Sequence, residues 1–356
     1  MGTLRTILAF AVVFGHFYGF VFTGGMLAVQ IFYLISGYLM SVILLSKNNY
    51  NDIKNFYLNR ALRLYPIYWS VALITLISYF LVSLFGKSNF FDLYEEAGNT
   101  GSLILIFSNV LLIGQDWIMF LGIKDSLIQF TGDFNNSDIP IWEGLLVPPA
   151  WTLGLEISFY LMAPFIIKNK FRWVSLLVIS LILKFYLIYI GIGLTDPFSY
   201  RFFPAELSFF LLGVFSHQII KPWYDSFELL GKTKLINLIN FIVVIFSVIF
   251  FMLPFDRLIT SFLLIGCVVI SLPFLAAYQR SNKFDDKIGA LSYPVYICHW
   301  YIIWLIKYIS EVLNVSNQYF IGSMILLCTL LFAIFLERFI NLKVNEVRKK
   351  VRGNIN

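Results

Sequence analysis

The chain has 356 residues, of which 59% are hydrophobic, 19% aromatic and only 13% charged. Soluble globular domains carry about 25% charged residues, and the mean hydropathy here is +0.81. This composition argues against a soluble enzyme or a nucleic-acid-binding protein. It predicts an all-α, polytopic integral membrane protein whose constant partner is the lipid bilayer.

The first apolar run follows Arg5 and carries His16 in its middle, without a small-residue cleavage site. We therefore expect a retained first span and no signal peptide. The three cysteines, Cys267, Cys298 and Cys328, all lie inside apolar runs. They are expected to be small packed hydrophobic residues, and we predict neither a disulfide framework nor a metal site.

Eleven apolar runs follow one another along the chain. They cover residues 6–23, 26–46, 66–86, 102–120, 151–167, 173–192, 202–220, 236–254, 258–277, 290–309 and 318–339. The weakest is 102–120, which contains Asn109, Gly114, Gln115 and Asp116. We predict that it lies on the membrane or dips into it, which leaves ten transmembrane helices.

Charge supports that count and sets the orientation. If 102–120 does not cross, 20 of the 26 Lys and Arg residues fall on one side, which the positive-inside rule assigns to the cytoplasm. Both termini are then cytoplasmic. The predicted organisation is a membrane domain over 1–340, with a long external segment at 87–150, and a basic cytoplasmic tail at 341–356.

Arg5 and His16 are eleven residues apart in the first run. On an α-helix this spacing is three turns plus about 20°, so both side chains share a face, about 16 Å apart along the axis. The predicted span places Arg5 at the cytoplasmic mouth and His16 near the middle of the bilayer.

Other ionisable residues in the apolar runs are expected near the middle and outer half of the membrane, namely His299, Glu156 and Glu206. Such residues are costly in hydrocarbon and usually mark a site or a pathway. Each could alternatively be an ordinary interhelical hydrogen bond. A neutral imidazole in this position suits a general base that acts on a hydroxyl group.

Arg60 and Arg63 lie three residues apart, directly before Pro66. At the cytoplasmic surface such a pair could bind phosphate through forked hydrogen bonds, and an ordinary basic flank is an equally good interpretation. Gly37, in the middle of the second run, is expected where two helices pack closely.

Six blocks in order resemble the acyltransferase-3 family of membrane-bound O-acyltransferases, which modify cell-surface carbohydrates. They are "LRTILAFAVVFGH", "VQIFYLISGYL", "RALRLYPIYW", "WTLGLEISFYLMAP", "RFFPAELSFFLLG" and "IGALSYPVYICHW". The resemblance extends along nearly the whole chain. Gln30 stands where the family frequently has an acidic residue, and no esterase-like soluble domain is appended.

The resemblance implies transfer of an acyl group, usually acetyl, from cytoplasmic acyl-CoA to a hydroxyl of a cell-surface glycan or lipid-linked sugar, in a bacterial cell membrane. Acetyl-CoA would be a donor substrate, and no permanently bound cofactor is expected. Arg5, Arg60 and Arg63 would bind acyl-CoA, and His16 and Glu156 would be catalytic, with His16 acting as a base or carrying the acyl group. The residues expected to contact the acceptor or support catalysis are Gln30, Ser36, Tyr160, Arg201, Glu206, Ser292, Tyr293 and His299.

Two other functions fit the same residues less well. A proton-coupled transporter or flippase also uses intramembrane Arg, His and Glu, but the inverted repeats typical of such carriers are not evident in the sequence. A structural scaffold does not need Arg and His on one helix face. The acceptor sugar stays open among lipopolysaccharide, capsule, peptidoglycan and lipid-linked sugars.

Overall fold

The computed structural model describes residues 1–19, 22–46, 52–86, 90–124, 127–228, 233–253 and 256–351. Parts of the predicted external segment (87–89 and 125–126) and the end of the predicted tail (352–356) lie outside the described residues.

Helices dominate the described chain. The helices are α1 Gly2–Phe17, α2 Gly25–Leu45, α3 Ile53–Ser83, α4 Phe90–Glu96, α5 Gly98–Leu111, α6 Gln115–Ile118, α7 Trp151–Ile166, α8 Lys170–Tyr189, α9 Phe203–Phe215, α10 Lys221–Glu228, α11 Thr233–Ile249, α12 Arg257–Ser281, α13 Lys283–Val312, α14 Gln318–Leu336 and α15 Leu342–Val351. Two π-helical segments, Ser216–Ile220 and Glu337–Asn341, join α9 to α10 and α14 to α15.

The described chain is mainly α-helical, as predicted, and the predicted external segment adds a small antiparallel sheet. Its strands are β1 Leu121–Lys124, β2 Leu127–Phe130 and β3 Ile139–Pro140, in the order β2-β1-β3. Leu121 pairs with Phe130, and Gly122 pairs with Pro140. The helical bundle itself agrees with the prediction.

Within the described ranges, seven helices are long and apolar enough to cross a membrane. They are Gly25–Leu45, Ile53–Ser83, Lys170–Tyr189, Phe203–Ser226, Arg257–Ser281, Lys283–Val312 and Gln318–Val351. The other three predicted spans correspond to shorter helices, α1, α7 and α11. Ten crossings with cytoplasmic termini therefore stay a prediction.

Close helix pairs form where glycines leave room for a neighbouring backbone. A Cβ atom on Gly37 of α2 would collide with the carbonyl oxygen of Phe210 in α9, and one on Gly213 of α9 would collide with that of Leu34. The packing role predicted for Gly37 is thus confirmed. A Cβ on Gly289 of α13 would likewise lie 2.6 Å from the Cα of Gly2, so α1 and α13 also pack closely.

The parallel pair of α1 and α13 is fixed at its beginning by Asp285. The Asp285 carboxylate accepts hydrogen bonds from the backbone N–H groups of Gly2 and Thr3, both at 2.8 Å, and from the Thr3 hydroxyl at 2.6 Å. An acceptor at this position satisfies N–H groups that have no partner inside the helix. The register of the two helices therefore sets the distance between their side chains further along.

The run at 102–120 is broken in the structure. Helix α5 ends at Leu111, and Leu112 and Gly114 adopt positive φ angles of 61° and 79°. Helix α5 has 14 residues, about 21 Å of rise, which is less than the roughly 30 Å of a hydrocarbon core. The Asn109 amide donates to the Gly144 carbonyl at 3.0 Å, which ties α5 to the chain that leads into α7.

The predicted basic tail is helical and packed over its described part. Helix α15 continues from α14, and the Asn59 amide of α3 donates to the Arg348 carbonyl at 3.2 Å. This end of the chain therefore rests on the segment that carries Arg60 and Arg63.

Candidate active site

A narrow inner cavity of about 60 Å³ lies between α1, α2, α3, α7 and α13. Its polar lining consists of Arg5, Tyr33, Ser36, Arg63, Thr152, Glu156, Ser292, Tyr293 and Tyr296. Six of these residues were predicted as site residues from the sequence, and the fold brings them together from five helices. The cavity therefore collects most of the predicted inner site.

Two guanidinium groups in this cavity make no direct ion pair within the described ranges. The Arg5 and Arg63 side chains are half-buried and form no hydrogen bond there. Arg60, predicted to join them, is 3% exposed and donates to the Asn59 side chain at 2.8 Å. Arg60 does not line the cavity, although its guanidinium lies 6.0 Å from the Tyr160 ring centre.

Glu156 is held by two hydroxyl groups. Its carboxylate accepts hydrogen bonds from Ser36 and, at 3.1 Å, from Tyr160. The sequence left open that Glu156 orients His16, but Glu156 lines the inner cavity and His16 a different one. The structure instead makes Glu156 the anion that faces Arg5 and Arg63.

The α13 side of the inner cavity is fixed by backbone contacts. The Ser292 hydroxyl donates to the Gly289 carbonyl at 2.8 Å, and the Tyr293 hydroxyl donates to the Leu64 carbonyl at 2.6 Å. Both hydroxyl groups keep acceptor capacity on the cavity side. They position this wall relative to α3 and therefore relative to Arg63.

A second, outer pocket of about 110 Å³ contains His16. Its other lining residues are Met119, Phe134, Trp142, Pro148, Pro149, Trp151, Arg201 and Trp300, most of them from the predicted external segment and its borders. Helix α1 ends at Phe17, so His16 lies in its last turn. The apolar run that predicted the first span continues to residue 23, beyond the end of the helix. The position of His16 near the middle of the bilayer stays a prediction.

His16 is paired with a second histidine. The His16 and His299 rings stack with centres 5.4 Å apart and an interplanar angle of 22°, and Trp300 contacts His16 edge-on at 5.1 Å. His299 is fully buried, and its Nδ1 lies 2.7 Å from the Tyr296 carbonyl oxygen. A carbonyl only accepts, so Nδ1 carries the proton and Nε2, which has no partner among the described residues, is an acceptor.

Arg201 closes another side of the outer pocket. Its guanidinium forms two hydrogen bonds with the Asp196 carboxylate, at 2.5 and 2.8 Å, and lies 4.2 Å from the Trp151 ring centre. The indole N–H of Trp142, which also lines the pocket, has no hydrogen-bond partner in the described part of the chain. The pocket thus combines three tryptophan rings with a held cation and an available donor.

Glu206 and Gln30, predicted near the acceptor, belong to a closed network elsewhere. The fully buried Glu206 accepts from the Lys184 ammonium at 2.6 Å and from the Gln30 amide at 3.1 Å. Lys184 also donates to the Ser199 carbonyl at 2.5 Å. This network holds the loop that carries Arg201, so its contribution to the outer pocket is indirect.

Tyr296 lies between the two sites. It lines the inner cavity, its ring contacts the His299 ring at 5.9 Å, and its hydroxyl donates to the Pro149 carbonyl at 3.2 Å. Arg5 and His16, which share one face of α1, line the cavities on either side of it. A molecule that connects the two cavities has to pass Tyr296.

Sequence reasoning missed several residues of the site. Trp142, Trp300 and Tyr296 are ordinary aromatic residues in an aromatic-rich chain, and only folding places them around His16. Asp116 was noted only as a residue that weakens the apolar run at 102–120, yet it is 2% exposed and its Oδ1 has no partner among the described residues. Burial raises the pKa of the Asp116 carboxyl to about 7.

The apolar helices and the two polar cavities between them define an integral membrane protein with an internal site. A family model described as an acyltransferase domain matches residues 2–337. The chain belongs to this acyltransferase family, as its sequence blocks predicted.

The chain is also similar to two curated proteins. It is 28% identical over 225 residues to an uncharacterized protein of Aquifex aeolicus (strain VF5), covering 62% of this chain and 94% of that protein. It is 23% identical over 338 residues to the peptidoglycan O-acetyltransferase OatA of Listeria monocytogenes serovar 1/2a (strain ATCC BAA-679 / EGD-e), covering 87% of this chain and 50% of OatA. No solved structure matches the chain.

Proposed function

We propose that the protein is a bacterial membrane O-acyltransferase that moves an acetyl group from cytoplasmic acyl-CoA to a hydroxyl of a cell-surface glycan or lipid-linked sugar. The observation that carries this proposal is the line of Arg5 and His16 along α1. Arg5, with Arg63, faces a cavity as a cation without a protein partner, and His16 faces a separate pocket at the other end of the helix.

The inner cavity is suited to the donor. Two half-buried guanidinium groups face a single carboxylate, so the cavity favours an anionic ligand, and guanidinium binds phosphate in forked geometry. Glu156, which accepts hydrogen bonds from Ser36 and Tyr160, lines the side of the cavity that α7 forms. The thin acyl-bearing arm of the donor then extends past Tyr296 to His16.

The outer pocket is suited to the acceptor. Trp142, Trp151 and Trp300 offer flat apolar ring surfaces, which pack against the C–H faces of a sugar ring, and the Trp142 N–H offers a hydrogen-bond donor. His16 lies among these rings. An acceptor hydroxyl bound here is within reach of the imidazole.

His16 then acts as the general base. It takes the proton of the acceptor hydroxyl while the hydroxyl oxygen bonds to the thioester carbonyl carbon. The C–S bond breaks, the sulfur takes the proton from His16, and the products are a sugar ester and free CoA. His299, stacked on His16, holds the base in place and is a positioning residue.

The test uses the purified protein with acetyl-CoA labelled in the acetyl group. We expect CoA release and labelled ester in the presence of a sugar or glycan acceptor, and slow CoA release with water alone. A panel of peptidoglycan fragments, capsule sugars and lipid-linked sugars identifies the acceptor class. Uptake of an intact solute into vesicles, with no thioester cleavage under any of these conditions, contradicts the proposal and favours a transporter.

A further inference from the structure

A third cavity, here called the basic vestibule, has a volume of about 410 Å³ and lies at the end of the bundle where α1 and α13 begin. It is lined by Met1, Tyr38, Leu39, Val42, Lys221, Ala276, Gln279, Arg280, Lys283 and Asp286. Its cations come from three different helices, α10, α12 and α13. The charge argument places all three of these segments on the cytoplasmic side.

Two of the three cations are available to a ligand. Lys221 pairs with Asp225 at 2.7 Å, one turn along α10. Arg280 and Lys283 are exposed and have no ion pair or hydrogen bond from their side chains to the residues that the structure describes. The one acidic lining residue, Asp286, accepts a hydrogen bond from Gln279 at 2.9 Å. The vestibule therefore carries a net positive charge.

The vestibule adjoins the candidate active site. Leu39 of α2 lines both the vestibule and the inner cavity. Asp286 of the vestibule also lies close enough to Arg5 of the inner cavity to interact with its charge. A ligand in the vestibule can thus extend directly towards Arg5 and Arg63.

The volumes of the inner cavity and the basic vestibule indicate different roles for the two. Pockets that enclose a ligand of nucleotide size have volumes of roughly 300–1,000 Å³. The vestibule, at about 410 Å³, falls in this range, and the inner cavity, at about 60 Å³, is far too small. The bulky end of the donor must therefore stay outside the inner cavity while its thin end enters.

From these observations we propose that the basic vestibule binds the nucleotide end of the donor, a phosphorylated adenosine, with Arg280 and Lys283 holding its phosphate groups. This rests on the proposed function. The vestibule then selects nucleotide-bearing thioesters over acyl-pantetheine, which lacks the nucleotide.

The experiment compares acetyl-CoA with acetyl-pantetheine in the full-length protein. We expect Arg280→Gln and Lys283→Gln each to raise KM for acetyl-CoA about tenfold, the effect of losing one charge-assisted contact, and to leave kcat/KM for acetyl-pantetheine unchanged. Lys287→Gln is the matched control, because Lys287 is exposed on the same helix and does not line the vestibule. We expect KM to stay unchanged in this variant.

Asp286→Asn gives a prediction of the opposite sign. It removes the acidic group that lines the vestibule, so binding of adenosine 3′,5′-bisphosphate, measured by calorimetry, should tighten. Loss of folding cannot produce that result. Equal KM changes in Arg280→Gln and Lys287→Gln, or weaker binding in Asp286→Asn, would overturn the inference.

The same measurements separate this inference from the proposed function. If acetyl-pantetheine is used as efficiently as acetyl-CoA, the vestibule inference fails and acyl transfer stands. If adenosine 3′,5′-bisphosphate binds in an Arg280-dependent way but no thioester is cleaved, the proposed acyl transfer fails and the nucleotide site stands. Absence of nucleotide binding by the unmodified protein contradicts the vestibule inference alone.

Discussion

Two groups of charged residues inside the helical bundle behave in opposite ways. Lys184 and Glu206 form a 2.6 Å ion pair in which both side chains are at most 9% exposed, and the Gln30 amide donates a second hydrogen bond to the carboxylate. Arg5 and Arg63 face a cavity with no ion pair to any described residue. Two guanidinium groups share this cavity with one carboxylate, that of Glu156, so the cavity keeps an excess positive charge that an anionic ligand can compensate.

The difference separates structural from functional charge in a membrane protein. The paired network ties α8, α9 and the Ser199 loop together, and its two charges compensate each other within the protein. Arg5 and Arg63, by contrast, line the inner cavity, and the neighbouring basic vestibule adds further positive charge. An ionisable residue in a span is therefore a site candidate only after its partners are known.

The largest expected effect concerns the orientation of the protein in the membrane. The inner cavity with Arg5 and Arg63 must be reached from the cytoplasm if it binds acyl-CoA. In a variant with Cys267, Cys298 and Cys328 replaced, a cysteine at Asn136 should be fully labelled by a membrane-impermeant maleimide on intact cells. A cysteine at Lys287 should be labelled only after permeabilisation. Both positions are exposed in the structure.

The reverse labelling pattern would place the Arg5 end of the bundle outside the cell. Cytoplasmic acyl-CoA could not then reach Arg5 and Arg63. The outer pocket with His16 would face the cytoplasm, where an exported glycan is absent.

The next largest effect is expected at His16. His16→Ala should lower acyl transfer by about 10²- to 10⁴-fold, the usual contribution of a general base, with CoA binding unchanged. His217→Ala is the matched control. His217 also lies in a long apolar helix but contacts Ser41 at 2.8 Å and lines neither cavity of the candidate site, so its loss should change the rate only slightly. A His16→Ala enzyme with more than a tenth of the original rate would make His16 a packing residue.

For the network of Lys184, Glu206 and Gln30, we expect a substitution to lower the stability of the fold. Glu206→Gln leaves the Lys184 ammonium buried without its anion, and breaking a buried pair in this way costs about 3–5 kcal/mol. Thermal unfolding in detergent should show a lower midpoint, and the double variant Lys184→Met/Glu206→Gln should recover much of the loss. If the single variant keeps its stability but loses acceptor affinity, Glu206 acts in substrate binding, as the sequence analysis first predicted.

The sequence could predict contacts within one helix and not those between distant helices. The shared face of Arg5 and His16 follows from helical periodicity alone. The placement of Arg63 before its span follows from the apolar run that begins at Pro66. The Lys184–Glu206 pair joins two helices through a loop, and no periodic pattern identifies it. The end of α1 at Phe17 could not be predicted either, because apolar residues continue past it.

The outer pocket was least predictable for a related reason. Trp142 and Trp300 are 158 positions apart in the chain, yet their ring centres lie 6.2 Å apart beside His16. In a chain with 19% aromatic residues, neither tryptophan differs in its local sequence from those that face lipid. Only the packing of the predicted external segment against the end of α1 and the middle of α13 selects them.

A smaller effect, on acyl-CoA affinity, is expected at Arg63 in the inner cavity. Arg63→Gln should weaken acyl-CoA binding by about 1.5–3 kcal/mol, the cost of a lost charge-assisted contact. Stability should not fall, because the variant removes repulsion between Arg63 and Arg5. Arg338→Gln is the control, since Arg338 is exposed and lines neither the inner cavity nor the vestibule. Equal CoA affinity in both variants would make Arg63 a basic flank of its helix.

The smallest expected effect concerns Asp116, a buried acidic residue of the predicted external segment. Unlike Glu206, it forms no ion pair with a described residue, and it lines none of the cavities described above. Its Oδ1 lies so close to α7 that a Cβ on Gly154 would be 2.7 Å away, and it has no partner among the described residues. Burial raises its pKa from 3.8 to about 7. The folded protein therefore holds a proton that the unfolded chain releases above pH 4.

Because the folded state binds more protons than the unfolded state between pH 4 and 7, stability must fall as pH rises through this range and level off above it. Between pH 6 and pH 8 this carboxyl alone should reduce the free energy of unfolding by about 1.4 kcal/mol. Asp116→Asn keeps the shape and cannot ionise, so unfolding in detergent should lose that part of the pH dependence. A variant with the same pH profile as the unmodified protein would mean that Asp116 is ionised in the fold and compensated, as Glu206 is, by a partner cation.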